Sequence, residues 1–242
     1  MDYPRGTVQD YTIYSKKLAE NVDFLVYLPP SFSHLYKYHV LIAQDGADYF
    51  QLGRIGKFAD ELLARKEIER LIIVGLPYKN GRDRLEKYHP DGEKSESYLQ
   101  FLVHELVPFL DKEFPTYQMG MGRALIGDSL AGYVSFRAAL QFPHTFGKVA
   151  LQSPYVTEDI LASLHSFQQP HLLEIYHVVG KAELSVKTTK GKLENFIGPN
   201  RILAKVLKEK GFSYSYHEFD GDHTWTYWQP DLEHALKFLF GR

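Results

Sequence analysis

The stretch at residues 123–143 reads RALIGDSLAGYVSFRAALQFP, and it carries the strongest structural signal in the chain. Its first six residues form a compact apolar run bounded by polar residues, which is typical of a buried strand. Ser129 follows this strand, and residues 130–142 are predicted to form a helix. The small residues Ala131 and Gly132 let that helix begin close to the sheet. The stretch therefore predicts a nucleophile elbow, a serine held on a sharp turn between a strand and a helix.

A serine hydroxyl is weakly nucleophilic and needs a neighbouring base, so the elbow indicates catalysis only if a general base lies beside Ser129. The backbone N–H of Leu130, at the start of the helix, is expected to stabilise the oxyanion that forms when a carbonyl is attacked. The motif departs from G-x-S-x-G because Ala131 stands at the second glycine position. The alternative interpretation is that Ser129 caps the helix.

Apolar runs recur along the whole chain. Two segments rich in aromatic and β-branched residues, 7–15 and 22–32, predict an antiparallel pair. Further short runs lie at 39–44, 70–77, 123–128, 148–154, 173–180 and 213–219. Their lengths and their Gly and Pro boundaries fit buried parallel strands. The sequence thus predicts the α/β-hydrolase fold, with a mostly parallel central sheet of about eight strands.

Amphipathic stretches separate these runs and predict helices on both faces of the sheet. The clearest is Ser95 to Glu113, where apolar residues recur every three to four positions. Other predicted helices lie at about 54–66, 130–142, 200–210 and 231–239. We find no repeat, low-complexity tract or linker, so residues 1–242 are expected to form a single domain.

The composition narrows the classes of function. The chain has 28 basic and 30 acidic side chains, so no excess of charge favours nucleic acid or an anionic membrane. It has no cysteine, which excludes disulfides and thiolate chemistry and is compatible with a reducing compartment. The N-terminus does not resemble a signal peptide, and the longest apolar runs are far shorter than the roughly 20 residues that span a bilayer. We expect a cytoplasmic protein without cofactor or metal, whose partner is a small molecule.

The general base is expected after the last strand, since serine, acid and histidine follow one another along the chain in this fold. Of the 11 histidines, His223 in FDGDHTWTYW fits best, because the Gly221 turn follows the strand at 213–219. His217 lies inside that strand and His234 inside the closing helix. The alternative is that His223 is a solvated loop residue.

The acid is expected in the loop after the strand at 173–180. Glu183, in GKAELS, is the first carboxylate there and would orient the imidazole. Asp220 and Asp222 flank His223 and are rival candidates, although both are also common turn formers. A dyad of serine and histidine without an acid is a further alternative.

With these positions in hand, the chain resembles the esterase D and enterochelin-esterase-like family, which includes feruloyl esterases and mycolyltransferases. The similarity extends over nearly the whole length and depends on several motifs in the same order. They are VLIAQDGADYF, IIVGLP followed by RDRLEKYHP, YLQFLVHELVPFLDKEFPT, IGDSLAGYVSFRAALQFPHTFGKVALQSP and GDHTWTYWQPDLEHALKFL. One departure is Lys87, which separates Glu86 from Tyr88.

The resemblance implies additional site residues. The loop after Asp45 and Gly46 would supply a second oxyanion N–H, from Ala47, and such donors contribute about 3 kcal/mol each. Asp45 is also a candidate substrate-binding residue, and the alternative is that Asp45 and Gly46 form an ordinary turn. Arg84 and Glu86 match a charged pair that is either structural or in contact with substrate. The aromatic residues after the histidine, Trp225, Tyr227 and Trp228, match residues that pack the closing helix or line the substrate site.

The substrate is expected to be a small or medium carboxylic ester that is cleaved through an acyl-enzyme. The polar segment 184–199 carries Lys187, Lys190 and Lys192 and is a candidate lid. A basic rim would suit a siderophore ester of the enterochelin or bacillibactin type, but a solvated loop explains the lysines equally well. Acyl transfer at the same site and a non-catalytic binding protein are the competing functions.

Overall fold

The computed structural model describes residues 3–242, which are organised around an eight-stranded sheet. The strands are β1 (Thr7–Ser15), β2 (Glu20–Leu28), β3 (His39–Gln44), β4 (Leu71–Leu76), β5 (Arg123–Asp128), β6 (Lys148–Gln152), β7 (Glu174–Gly180), β8 (Val186–Lys187), β9 (Leu193–Glu194) and β10 (Ser213–Phe219). The order in the large sheet is β1-β2-β4-β3-β5-β6-β7-β10. Strands β8 and β9 form a separate two-stranded hairpin.

The large sheet is mostly parallel. Strand β2 is antiparallel to both of its neighbours, β1 and β4, and all the other pairs are parallel. The predicted antiparallel pair is therefore confirmed, but the segment 22–32 was placed wrongly. Strand β2 ends at Leu28 because Pro29 and Pro30 have no N–H to donate to a neighbouring strand.

Nine α-helices lie in the described chain. They are α1 (Gly46–Gln51), α2 (Ile55–Ala64), α3 (Gly81–Tyr88), α4 (Ser95–Phe101), α5 (Val107–Glu113), α6 (Ser129–Gln141), α7 (Glu158–Ser166), α8 (Ile197–Glu209) and α9 (Trp225–Phe240). The predicted helix from Ser95 to Glu113 is interrupted by a π-helical turn at Leu102–Leu106. Pro108 follows this turn and cannot donate to the carbonyl of His104, so a regular α-helical ladder is unavailable there.

The closing helix was also placed wrongly. It begins at Trp225, six residues before the predicted start, and Pro230 lies inside it. Proline often stands at the first position of a helix, which is why a start near Pro230 was expected. The loop that carries His223 is correspondingly short, because it joins Phe219 of β10 directly to this helix.

Helices cover both faces of the sheet, as predicted. Along β3, Val40 and Ile42 pack into an apolar cluster shared with α4, α6 and α8. Leu41 and Ala43 point the other way, into a second cluster shared with α2 and α9. Each fully buried aliphatic side chain contributes about 1.5–3 kcal/mol to folding. The two cores hold the sheet between two layers, so that the loops at its carboxyl edge are attached to a rigid base.

Candidate active site

Ser129 lies at the sharp turn between β5 and α6, and its φ angle is 51°. This is the left-handed region, which residues with a side chain adopt only at a cost of order 1–3 kcal/mol. The turn brings the chain so close to itself that a Cβ atom on Gly127 would lie 2.3 Å from the backbone of Ala131. Glycine is therefore required at 127, and the half-buried Ser129 side chain is held at the end of the strand. The predicted elbow geometry is present.

The departure at Ala131 from the glycine pattern does not disturb this turn. Ala131 is fully buried and packs in the larger of the two cores. The helix approaches its neighbour most closely at Gly132, where an added Cβ atom would lie 3.0 Å from Pro154. A methyl group is therefore accommodated at 131, and the tight contact is met by the next residue.

The two predicted oxyanion donors both lie in first turns of helices. Leu130 is the second residue of α6, and Ala47 is the second residue of α1, which begins after Asp45. The first N–H groups of a helix have no partner within it, so they remain available to an anion. Asp45 itself has a φ of 52°, which turns the chain from β3 into the helix.

The structure brings His223 and Glu183 together. Nδ1 of His223 lies 2.7 Å from Oε2 of Glu183, and the Glu183 side chain is fully buried. Both rival acids point elsewhere: Asp220 is exposed and pairs with Lys181, and Asp222 accepts a hydrogen bond from Thr224. Of the three carboxylates considered from the sequence, only Glu183 contacts the imidazole.

Glu183 is held from its other side by groups that the sequence analysis missed. Its Oε1 accepts hydrogen bonds from the Ser153 hydroxyl, at 2.6 Å, and from the Gly180 N–H, at 2.7 Å. The indole N–H of Trp228 donates in turn to Ser153 Oγ, at 3.0 Å. Two donors on Oε1 leave Oε2 to face His223. The sequence did contain a signal for Ser153: it directly follows β6, which pairs with β7, the strand that precedes Glu183.

The His223 ring lies between two aromatic side chains. Its centroid is 4.4 Å from that of Phe196 and 4.7 Å from that of Trp228, and the latter contact is edge-to-face. The glutamate and these two rings restrict the orientation of the imidazole. Among the described residues, no hydrogen bond joins Ser129 Oγ to His223 Nε2. Such contacts are often long before substrate binds.

The aromatic residues after His223 mainly pack the closing helix. Trp225 lies edge-to-face against Tyr49, with ring centroids 4.9 Å apart, and also contacts Trp228. Tyr227 stacks on Phe219, at 5.6 Å. Trp225 does not line the cavity beside Ser129. The structure thus places this predicted substrate residue in the packing of α9 against α1.

Asp45 and Arg84 form a buried ion pair. Arg84 Nη2 lies 2.6 Å from Asp45 Oδ2, and Arg84 Nε donates to both carboxylate oxygens. The predicted pairing of Arg84 with Glu86 is wrong, because Glu86 pairs with the exposed Arg82. Side chains three or four positions apart on a helix face one another, whereas Arg84 and Glu86 are only two apart. Arg84 therefore secures the loop that carries Ala47.

Asp128 is a buried carboxyl group immediately before the elbow. Its Oδ1 atom has no hydrogen-bond partner within the described chain. Burial, assisted by the nearby Asp45, raises the pKa of Asp128 to about 8. The group is therefore mostly neutral at pH 7, which keeps a full negative charge away from the site where an oxyanion would form.

A cavity of about 40 Å³ lies beside Ser129. Its lining residues come from α3, the elbow, the loop after β6 and the β8–β9 hairpin: Leu85, His89, Ser129, Leu130, Tyr155, Thr188, Thr189, Lys190, Glu194 and Phe196. The predicted lid segment therefore contains the hairpin that forms one wall. The hairpin is also tied to the buried ion pair, because Arg84 Nη1 donates to Thr189 Oγ1, at 3.3 Å.

Within residues 3–242, no cluster of three or more His, Asp or Glu side chains is arranged to hold a metal ion. No helix in this part of the chain combines the length and the apolar character that crossing a membrane requires.

Comparisons with known proteins give the family and the fold of the chain. A family model described as putative esterase matches residues 15–239. The uncharacterized protein YjcH of Bacillus subtilis is 51% identical over 232 residues, which cover 96% of this chain and 97% of that protein. A solved ferulic acid esterase superimposes with a TM-score of 0.80 at 19% identity, covering 99% of this chain and 98% of the other. The enterobactin esterase FES of Shigella flexneri, solved in the presence of enterobactin, gives a TM-score of 0.83 at 17% identity, covering 96% and 58%.

Proposed function

The chain belongs to the putative esterase family, and on that premise we propose that it is a serine carboxylic-ester hydrolase with Ser129 as the nucleophile. The observation that carries the proposal is the elbow at Ser129, in the left-handed conformation, at the same sheet edge as the His223–Glu183 pair. These three side chains follow β5, β7 and β10, which is the order that the fold requires.

In the proposed first step, Ser129 Oγ attacks the acyl carbon of the ester. His223 Nε2 accepts the hydroxyl proton, and the negative charge moves to the former carbonyl oxygen. The N–H groups of Leu130 and Ala47 stabilise this oxyanion. When the carbon–oxygen bond to the alcohol breaks, His223 returns the proton to the leaving oxygen, and an acyl-enzyme remains.

In the second step, His223 takes a proton from water, and the resulting hydroxide attacks the acyl carbon. Collapse of the second tetrahedral intermediate releases the carboxylic acid and restores the Ser129 hydroxyl. Glu183 accepts a hydrogen bond from Nδ1 and fixes the tautomer in which Nδ1 carries the hydrogen. Ser153 and Gly180 keep the carboxylate in that orientation.

A fluorophosphonate probe tests the nucleophile. We expect labelling at Ser129, located by peptide mass, and hydrolysis of p-nitrophenyl acetate by the same preparation. Ser129→Ala should lose both, and His223→Ala should lose turnover. Ser166→Ala, at an exposed serine, is the matched control. Labelling that persists in Ser129→Ala would reject the assignment, and a wild-type protein that neither reacts nor turns over would favour the non-catalytic alternative.

A second candidate is hydrolysis of a siderophore ester of the enterochelin or bacillibactin type. The observation that favours it is Lys190, which lines the cavity beside Ser129 and offers a positive charge to a catecholate. A comparison of kcat/KM for enterobactin and for short p-nitrophenyl esters separates the two substrates. Acyl transfer is distinguished by adding a competing alcohol and measuring the ester formed from it.

A further inference from the structure

We propose that His89 is a substrate-binding residue, whose Nε2–H group donates a hydrogen bond to an uncharged oxygen that the substrate carries near its scissile ester. Such an oxygen belongs to an ether, a hydroxyl or a carbonyl group. This inference rests on the proposed ester hydrolysis and specifies its substrate class. It is carried by the fixed orientation of the His89 ring, by its unpartnered nitrogen and by its place in the wall of the cavity beside Ser129.

The backbone of His89 is set by the turn His-Pro-Asp-Gly at residues 89–92. Helix α3 ends at Tyr88, and His89 has the extended angles φ −70° and ψ 143°. Proline at the next position disfavours the helical conformation for the residue before it. The Gly92 N–H donates to the His89 carbonyl, at 2.9 Å, and closes a four-residue turn with Pro90 at its second position. The turn therefore fixes the position from which the His89 side chain projects.

The ring of His89 is oriented by the same turn. The backbone N–H of Asp91 donates to His89 Nδ1, at 3.1 Å. A ring nitrogen that accepts a hydrogen bond carries no hydrogen, so the hydrogen of the neutral imidazole is on Nε2. The ring is mostly neutral at pH 7, because burial, assisted by Lys190, lowers its pKa from the usual 6.5. Nε2–H is therefore an uncharged donor with a fixed direction.

The Nε2 atom of His89 has no hydrogen-bond partner within residues 3–242. The side chain is only 11% exposed, yet Nε2 is not among the fully enclosed polar atoms that lack a partner. The small surface that the ring exposes therefore includes Nε2. Solvent satisfies such a donor until a substrate displaces it, and the substrate must then supply an acceptor, because an unpaired buried donor is costly.

The accessible side of His89 belongs to the cavity beside Ser129, because both residues line it. Tyr155 connects them. Its backbone N–H donates to the Ser129 carbonyl, at 2.8 Å, and its ring centroid lies 6.2 Å from that of His89. The imidazole is thus held in the wall next to the nucleophile, within the space that part of a bound ester has to occupy.

The charges around His89 favour an uncharged acceptor over a carboxylate. The ammonium group of Lys190 lies near the ring, and so do three carboxylates, those of Asp91, Asp159 and Glu194. One positive and three negative charges provide no net attraction for an anion. A neutral N–H donor pairs with ether, hydroxyl and carbonyl oxygens alike. The expected substrates are therefore esters that carry such an oxygen, in preference to plain alkyl esters.

Pairs of esters that differ by one oxygen test the proposal on both sides of the scissile bond. The alcohol pair is 2-methoxyethyl acetate and butyl acetate, and the acyl pair is p-nitrophenyl methoxyacetate and p-nitrophenyl butyrate. A second set places the oxygen one carbon further away: 3-methoxypropyl and pentyl acetate, and p-nitrophenyl 3-methoxypropanoate and pentanoate. In each pair an ether oxygen replaces one methylene group, so the two esters have nearly the same length and shape.

The measured quantity is the oxygen preference, defined as kcat/KM of the methoxy ester divided by kcat/KM of its alkyl partner. The same two esters are compared in every enzyme, so the difference in their intrinsic reactivity cancels between wild type and variant. The series in which a variant lowers the preference identifies the part of the substrate that lies at His89.

Two variants at one position identify the donor. His89→Asn keeps an oxygen for the Asp91 N–H but lacks a donor at the place of Nε2, whereas His89→Gln keeps an N–H there. We expect the oxygen preference of at least one pair to fall about fivefold in His89→Asn and to stay within about twofold of wild type in His89→Gln. His89→Leu replaces His89→Asn if the latter does not fold. His165→Asn, at an exposed histidine, is the matched control and should change no preference.

Three outcomes would overturn the proposal. The first is the same oxygen preference in wild type and His89→Asn for all four pairs. The second is an equally large fall in His89→Gln, which would assign the effect to packing. The third is a higher kcat/KM for monomethyl succinate than for its uncharged isostere methyl 4-oxopentanoate, which would indicate a charged acceptor. All of these results require turnover through Ser129, whereas absence of both turnover and probe labelling would reject the proposed function itself.

Discussion

Glu183 Oε2 lies 2.7 Å from Nδ1 of His223, with the carboxylate fully buried, while its other oxygen accepts from Ser153 and Gly180. This arrangement predicts the effect of Glu183→Gln. The amide oxygen should take the place of Oε1 on the two donors, so that the amide N–H₂ faces His223. Nδ1 must then accept a hydrogen bond, the proton moves to Nε2, and the base can no longer receive the Ser129 proton.

We therefore expect kcat of Glu183→Gln to fall by about 10⁴-fold, with the fold intact by circular dichroism. Asp220→Asn and Asp222→Asn are the matched controls and should retain kcat within about twofold, as is usual for exposed residues without a special role. If Asp222→Asn loses activity while Glu183→Gln keeps it, Glu183 is not the acid.

Ser153→Ala tests the support behind Glu183. The variant leaves Glu183 Oε1 with one donor and leaves the Trp228 N–H without its acceptor. A hydrogen bond to a charged group contributes about 1.5–3 kcal/mol, and part of that loss should appear in the transition state. We expect kcat to fall about tenfold, a change of about 1.4 kcal/mol.

The KM of Ser153→Ala should not change, because Ser153 does not line the cavity. Steady-state kinetics with p-nitrophenyl acetate separate the two parameters. Ser166→Ala serves as the control, at an exposed serine. A rise in KM at constant kcat would show that Ser153 contacts substrate instead.

The Asp45–Arg84 pair is expected to stabilise the fold strongly. Arg84→Gln leaves a buried carboxylate without a counter-charge, and removal of one partner of such a pair costs about 3–5 kcal/mol. Urea denaturation should show this loss, and Asp45→Asn combined with Arg84→Gln should recover part of it. Arg82→Gln, at an exposed arginine, should change stability by less than about 0.5 kcal/mol. Equal effects of Arg84→Gln and Arg82→Gln would contradict a buried pair.

Asp128 should make the protein less stable as pH rises. Its pKa is raised by burial from 3.8 to about 8, so the folded state keeps a proton that the unfolded state has lost. The stabilisation is full below pH 3.8 and is lost as pH rises through 8. Asp128 should therefore lower the free energy of unfolding by about 2 kcal/mol between pH 6 and pH 8. Asp128→Asn should lack this decrease, and Asp222→Asn should retain it. Parallel pH profiles of wild type and Asp128→Asn would contradict the raised pKa.

His177 should act in the opposite direction. It is buried between Tyr214 and Asn200, and burial lowers its pKa from 6.5 to about 4. The unfolded state takes up a proton first, so the stabilisation is present above pH 6.5 and is lost as pH falls through 4. This contribution of about 3 kcal/mol is absent in His177→Gln, so the free energy of unfolding of the variant should rise by about that amount relative to wild type as pH falls from 6.5 to 4.

Urea denaturation at pH 4 and pH 6.5 measures this difference, with the exposed His165→Gln as control. Between about pH 4 and 6.5, Asp128 lowers the free energy of unfolding as pH rises, whereas His177 raises it. The wild-type profile there should consequently be flatter than either variant's. An unchanged slope in His177→Gln would show that another group titrates on acid unfolding.

Local sequence determined most of the architecture. Two segments rich in aromatic and β-branched residues and six compact apolar runs identified the eight strands of the large sheet, and the order of helices and strands predicted parallel pairing. The elbow at Ser129 could also be predicted from local sequence. The chain approaches itself closely at this turn, so small residues are needed at Gly127 and directly after the serine. Periodicity did not place the π-helical turn or the true start of α9, since Pro108 and Pro230 occupy positions that the apolar pattern does not mark.

Only the tertiary structure decided how distant side chains combine. From their positions in the chain, three carboxylates were plausible acids. Only Glu183 is buried where β6, β7 and α9 meet. There Ser153, supported by Trp228, holds its carboxylate against His223. Arg84 likewise pairs with a residue 39 positions away rather than with its near neighbour Glu86. The periodicity of apolar residues and the preferences of turn residues depend on a few neighbouring positions, so they can be recognised in the sequence. Hydrogen bonds and ion pairs between strands depend on which ends the folded sheet brings to one edge, and their energy depends on burial that exists only after the chain has folded.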